Sequence, residues 1–98
     1  MRFQIEFSER ARDNLLGFRK RDQQVIADAA ETRLAHEPGK ATRNRKPLEA
    51  NSLAPWELRV GDFRVFYDID PAARTVVVVA IGHKIHNRLS IGGEDIEL

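Results

Sequence analysis

At 98 residues the chain has room for one domain, residues 1–98, with a single modest core, and the absence of cysteine excludes disulfides and thiolate metal sites. The net charge of +1 hides an uneven distribution: Lys40, Arg43, Arg45 and Lys46 fall between Pro38 and Pro47 with no acid among them, while Glu94, Asp95 and Glu97 crowd the last five residues, without which 16 basic stand against 12 acidic residues. No apolar run approaches the roughly 18 residues of a membrane span and no signal-peptide core is visible, so a cytoplasmic protein with no membrane partner is expected.

Phe3, Ile5 and Phe7 alternate with Arg2, Gln4 and Glu6, the two-residue period of a half-buried strand. Ser8 then stops it. A serine hydroxyl satisfies an orphan amide at a helix start and Glu9 complements the dipole, which predicts a helix through Phe18 with Ala11, Leu15 and Phe18 on one face. Ile26, Ala30 and Leu34 recur every four residues with Val25 and Ala29 beside them, predicting a second helix from Asp22 to about His36 whose apolar stripe is core; Pro38-Gly39 ends it. Residues 37 to 54, rich in Gly, Asn, Ser and Pro, read as a long irregular connection. Its basic stretch, Lys40, Arg43, Arg45 and Lys46, is either a solvated loop or a contact for nucleic acid.

Strands follow at about 56 to 60, 63 to 70 and 74 to 82, joined by a tight turn at Gly61-Asp62 and another around Asp70-Pro71-Ala72. The last is apolar from Val76 to Ile81 and is expected to be central. The acidic end of the chain either masks the basic body or is solvated. Successive strand side chains face opposite sides, so Arg59 shares a face with Glu57 and opposes Leu58, while Arg64 alternates with Phe63 and Val65. A guanidinium is costly to desolvate, and its usual use beside a core is to hold a carboxylate or a phosphate. An anionic ligand is therefore indicated, the structural alternative for Arg64 being an ion pair with Asp68 or Glu57. Trp56 and Phe63 fit core positions better than base-stacking platforms. His83-x-x-His86 lacks a third ligand, so no metal is expected.

The order β-α-α-β-β-β, together with RNRKPL at 43 to 48, WELRVGDFRVFYDID at 56 to 70 and AIGHK at 80 to 84, resembles the RelE/ParE superfamily of bacterial toxins over nearly the full length. The resemblance implies an α+β fold: an N-terminal strand, a two-helix hairpin and a three-stranded antiparallel meander in one twisted sheet. It also implies a cognate antitoxin whose extended acidic segment wraps the toxin. The RelE branch cleaves messenger RNA in the ribosomal A site and the ParE branch poisons DNA gyrase, so fold alone does not choose.

Metal-free RNA cleavage uses the 2′-hydroxyl to attack the adjacent phosphate. It needs a base, an acid for the leaving 5′-oxygen and cations for the charge on phosphorus, but no cofactor. Carried over from the RelE-like ribonucleases, Arg59, Arg64 and Lys84 fall on the phosphate clamp, and His83 lies where one subgroup has its general acid, with His86 the neighbouring alternative. Lys46 stands where some members have a catalytic carboxylate, Glu57 replaces a lysine that others use, and the C-terminal tyrosine common in the family is replaced by Arg88-Leu89-Ser90. Lys40, Arg43 and Arg45 are the expected RNA or ribosome contacts. The resulting expectation is the toxin of a type II toxin-antitoxin system, a ribosome-dependent messenger endoribonuclease that leaves a cyclic phosphate. A gyrase poison, or a member that only binds its antitoxin, is the alternative.

Overall fold

The computed structural model describes residues 2–98. β1 (Gln4–Phe7) leads through Ser8 into α1 (Glu9–Leu16). The Ser8 hydroxyl accepts the Ala11 N–H at 3.0 Å and donates to the Val79 carbonyl at 2.8 Å, so one side chain both caps the helix and ties it to the sheet. α2 (Lys20–Arg33) starts ahead of the expected Asp22, because Asp22 serves in the first turn, 3.4 Å from Arg19. It ends short of His36, with Leu34 as C-cap; Nη1 of Arg45 donates to the Arg33 and His36 carbonyls at 2.8 and 3.0 Å, satisfying groups a helix end leaves bare.

β2 (Arg45–Pro47) lies within the stretch expected to be irregular. β3 (Trp56–Val60), β4 (Phe63–Asp70) and β5 (Thr75–Ile85) form the expected meander, and the chain then adds β6 (Arg88–Ile91) and β7 (Glu94–Ile96), so its acidic end is not a free tail as far as Ile96. All seven strands share one open sheet of order β2-β3-β4-β5-β6-β7. The architecture is α+β, a strand and two helices followed by an antiparallel meander. β1 runs parallel to the first part of β5, pairing Gln4 with Thr75 and Phe7 with Val78, on the edge whose far part pairs with β6. Between them the Ser8 N–H donates to Val78 at 2.9 Å and the Asn14 side-chain carbonyl accepts the Ile81 N–H at 3.0 Å, so that part of the edge is not left open.

The helices cover one face. Ala11, Ile26, Ala30 and Leu34 meet Leu58, Val65, Tyr67, Val76, Val78 and Ile81, all fully buried, each of the larger side chains contributing about 1.5–3 kcal/mol by leaving water. Trp56 and Phe63 pack against this cluster as expected, Trp56 stacked on Tyr67 at 6.1 Å. The opposite face carries a smaller cluster, Ala54, Phe66, Ala80 and Ile91, closed by Leu48, Leu53, Leu89 and Ile96.

A β-bulge allots the apolar run of β5 to both faces. Val78 pairs with Tyr67 and Ala80 with Phe66, leaving Val79 as the extra residue. Before the bulge Val76 and Val78 face the helices; after it Ile81 and His83 do, and Ala80, Gly82 and Lys84 look the other way. Among the described residues no helix is long and apolar enough to cross a membrane.

Candidate functional site

On the face away from the helices, four strands deliver charged side chains to one place. Lys46 of β2 pairs with Glu57 of β3, Arg59 pairs with Arg64 of β4, and Arg64 with Gly82 of β5. Lys84 shares the face of Gly82. Arg43 and Asn44 complete the rim, the Asn44 carbonyl accepting the Arg59 N–H at 2.7 Å. Together they line a pocket of about 140 Å³, with five cationic side chains and one carboxylate. It opens into a groove of about 630 Å³ walled by residues 47–51 on one side and 96–98 on the other. Gly82 lets β6 pack closely beside this site: a Cβ there would stand 2.8 Å from Leu89 Cδ1 and 3.0 Å from the Ser90 carbonyl.

Arg64 is 7% exposed, the most buried cation of the set. Its Nη1 donates to the Gly61 and Phe63 carbonyls at 2.8 and 2.9 Å, so the turn of the β3–β4 hairpin aims the guanidinium. Gly61 makes that turn with φ +58. Among the described residues no carboxylate lies within 4.0 Å of Arg64: Asp68 instead accepts the Ile69 N–H, and Glu57 stands 3.9 Å from Lys46. The ion-pair alternative for Arg64 does not form. Its positive charge has no acidic side chain against it among the described residues.

The other expected site residues lie elsewhere. His83 is on the helix side, stacked on Phe63 at 4.8 Å and edge-on to Phe18 at 6.2 Å. His86 occupies the β5–β6 turn with φ +51, followed by Asn87 at φ +65, the pair of positive angles a two-residue hairpin loop requires. Both histidines line a separate groove beside α1, with Asp13, Phe18, Arg88 and Asp95. Arg45 points toward the helices as the cap of α2, opposed to Leu58. Lys40 is exposed, 3.8 Å from Glu37. Arg59, Arg64, Lys84, Lys46 and Arg43 thus gather; His83, His86, Arg45 and Lys40 do not join them. Glu57, which the sequence placed on the face of Arg59 and in place of a lysine that others use but not among the site residues, lines the pocket with them. Tyr67 is no substitute for the missing imidazoles. Burial pushes its hydroxyl up to about 12 against the opposing effect of Arg45, and it donates to the Pro38 carbonyl at 2.8 Å on the far side of the sheet. Among the described residues no group of three or more His, Cys, Asp or Glu side chains is placed to hold a metal ion.

Residues 5–87 match the family described as the ParE toxin of type II toxin-antitoxin system, parDE. The chain belongs to the ParE toxin family. This places it in the RelE/ParE superfamily that its motifs resemble. The toxin is also similar to a chain of the toxin-antitoxin complex RelBE2 from Mycobacterium tuberculosis, with a TM-score of 0.75 and 27% identity over 86% of this chain and 93% of that one. A chain of the archaeal RelE-RelB complex from Pyrococcus horikoshii OT3 superposes with a TM-score of 0.65 at 17% identity, covering 83% of this chain and 93% of that one, a likeness of fold. A comparison with curated proteins finds no match.

Proposed function

We propose that this toxin arrests translation by cutting messenger RNA bound to the ribosome, as a metal-independent endoribonuclease in the cytoplasm. The carrying observation is the pocket of about 140 Å³ in which Arg43, Lys46, Arg59, Arg64 and Lys84 converge with no carboxylate engaging Arg64. Arg59 and Arg64 neutralise the charge that grows on phosphorus, and a lysine ammonium, Lys46 or Lys84, delivers the proton to the leaving 5′-oxygen. The wider groove accommodates the strand on either side of the scissile phosphate. Dependence on the ribosome follows from the absence of an imidazole at the pocket: a site with modest acid–base power gains most from a substrate held in an attacking geometry.

The partner of this toxin is an antitoxin with an extended acidic segment, lying along the cationic face and speeding encounter by charge complementarity. The solved relatives are toxin-antitoxin complexes, which supports that assignment. A second reading is favoured by a specific observation. Both histidines lie off the cationic face and the family match is to ParE, so a gyrase poison, which needs no acid–base pair, uses the same surface for binding alone.

Induction without the antitoxin separates the two. Messenger ends mapped within the A-site codon, with no cutting of naked RNA at a comparable rate, are the expected result. Gyrase-linked DNA breaks with intact messenger would replace the ribonuclease reading by the second one.

A further inference from the structure

Attack by a 2′-hydroxyl requires a group that takes its proton, and the lining of the pocket restricts the choice. Guanidinium and ammonium groups have protons to give and no lone pair to accept one. His83 and Tyr67 face the helices. Among the described residues lining the smaller pocket, Glu57 alone carries a carboxylate. Its side chain is 12% exposed, and it is surrounded by Lys46 from β2, Arg59 from its own strand, Arg64 from β4, Lys84 from β5 and Arg43 from the preceding loop.

The plainer role for such a carboxylate is that of a counter-ion. The geometry argues against it. Lys46, whose side chain is 65% exposed, and the exposed Arg59 and Lys84 are solvated without help, while Arg64, the one cation out of water, is satisfied by the Gly61 and Phe63 carbonyls. The one ion pair of Glu57 among the described residues is at the limit of contact, 3.9 Å, and its Lys46 ammonium is mostly in water, so it holds the carboxylate weakly.

We propose that Glu57 is the general base of the cleavage, an assignment that rests on the ribonuclease reading above. Its carboxylate takes the 2′-hydroxyl proton as that oxygen bonds to phosphorus. The P–O5′ bond breaks, the departing oxygen takes a proton from the Lys46 or Lys84 ammonium, and the products are a 2′,3′-cyclic phosphate and a 5′-hydroxyl. Glu57 then returns its proton to solvent and the lysine regains one, which closes the cycle with no redox change.

The test compares the full-length wild type with Glu57→Gln in single-turnover cutting of a short messenger on ribosomes across pH, beside binding of the same messenger with a 2′-deoxy residue at the cut site. The Gln variant is expected to cut about 10²-fold slower or worse, to lose the acid-side fall of the rate seen with the wild type, and to bind the deoxy messenger at least as tightly, having shed a negative charge. Glu57→Asp recovers part of the rate. A Gln variant that cuts within about threefold of the wild type with the same pH profile overturns the base assignment and leaves the ribonuclease reading standing. Slower cutting matched by equally weakened binding or a lowered melting temperature also overturns it, in favour of the counter-ion role. Wild-type protein that leaves messenger uncut on ribosomes removes both.

Discussion

The two faces of the sheet are cut from the same strands and carry opposite chemistry. On the helix side β3, β4 and β5 present Leu58, Val65, Tyr67, Val76, Val78 and Ile81, all out of water. One residue along each strand, the other side presents Glu57, Arg59, Arg64 and Lys84. The helix side packs on itself and supplies rigidity, whereas the charged patch of the other side, beside its smaller apolar cluster, has a single ion pair among the described residues, Lys46 with Glu57, and its most buried cation, Arg64, is held by backbone carbonyls. A site on strands that are packed from behind is more finely positioned than one on loops, which is what the proposed cleavage requires.

That division predicts separable losses. Ile26→Ala, on the helix side, should lower the unfolding free energy by about 2–5 kcal/mol through the cavity it leaves, measured by urea titration, while the protein that remains folded keeps its cutting rate. A specific activity that falls with stability would mean that the faces are coupled.

Arg64→Ala should raise the barrier to cleavage by about 2.7–4 kcal/mol, by analogy with the loss of one preorganised donor; its thermal unfolding should shift as well, since each of the two hydrogen bonds lost from the charged guanidinium is worth about 1.5–3 kcal/mol, but the protein should remain folded. Arg64→Lys should stay largely impaired because an ammonium cannot reproduce the fork. An Ala variant that still arrests growth at wild-type expression would remove Arg64 from the site.

The smallest effect should be invisible at neutral pH. Tyr67 titrates near 10 in the unfolded chain and at about 12 when folded, so the unfolded state binds fewer protons in that window. The stability present below pH 10 is lost as pH rises toward 12. Tyr67→Phe should flatten this alkaline decline while removing the bond to Pro38. An unchanged decline would assign it to other groups.

Much of the helix side was legible because it obeys simple periods: the Ser8 cap, the stripe Ile26–Ala30–Leu34 and the Gly61-Asp62 turn all follow from residue type and spacing. The open face was legible only in part, and the bulge at Val79 is the main reason. Counted in strict alternation, residues 77, 79, 81 and 83 share the side of Asp68 and Arg64, which would place His83 beside the arginines. One extra residue reverses the parity and brings Lys84 there instead. Nothing in VVVVAI marks where such an insertion falls. That Arg45 lies away from the pocket was hidden for a similar reason, since a three-residue strand inside a loop decides which side it faces. The last two hairpins did leave a signal, in His86-Asn87 and Gly92-Gly93, pairs that tolerate the positive φ of tight turns.

The parallel pairing of β1 with β5 has a temporal consequence. The central strand finds its first neighbour some seventy residues upstream, as the bond from Ser8 to Val79 illustrates. Long-range pairings of this kind close slowly. During synthesis, at about 5–20 residues per second, β1 and both helices emerge seconds before the strand that completes their core, and every residue of the cationic pocket lies between 43 and 84. A nascent chain therefore carries no assembled site until its central strand has cleared the ribosome, and the interval belongs to whatever binds the exposed helix faces first.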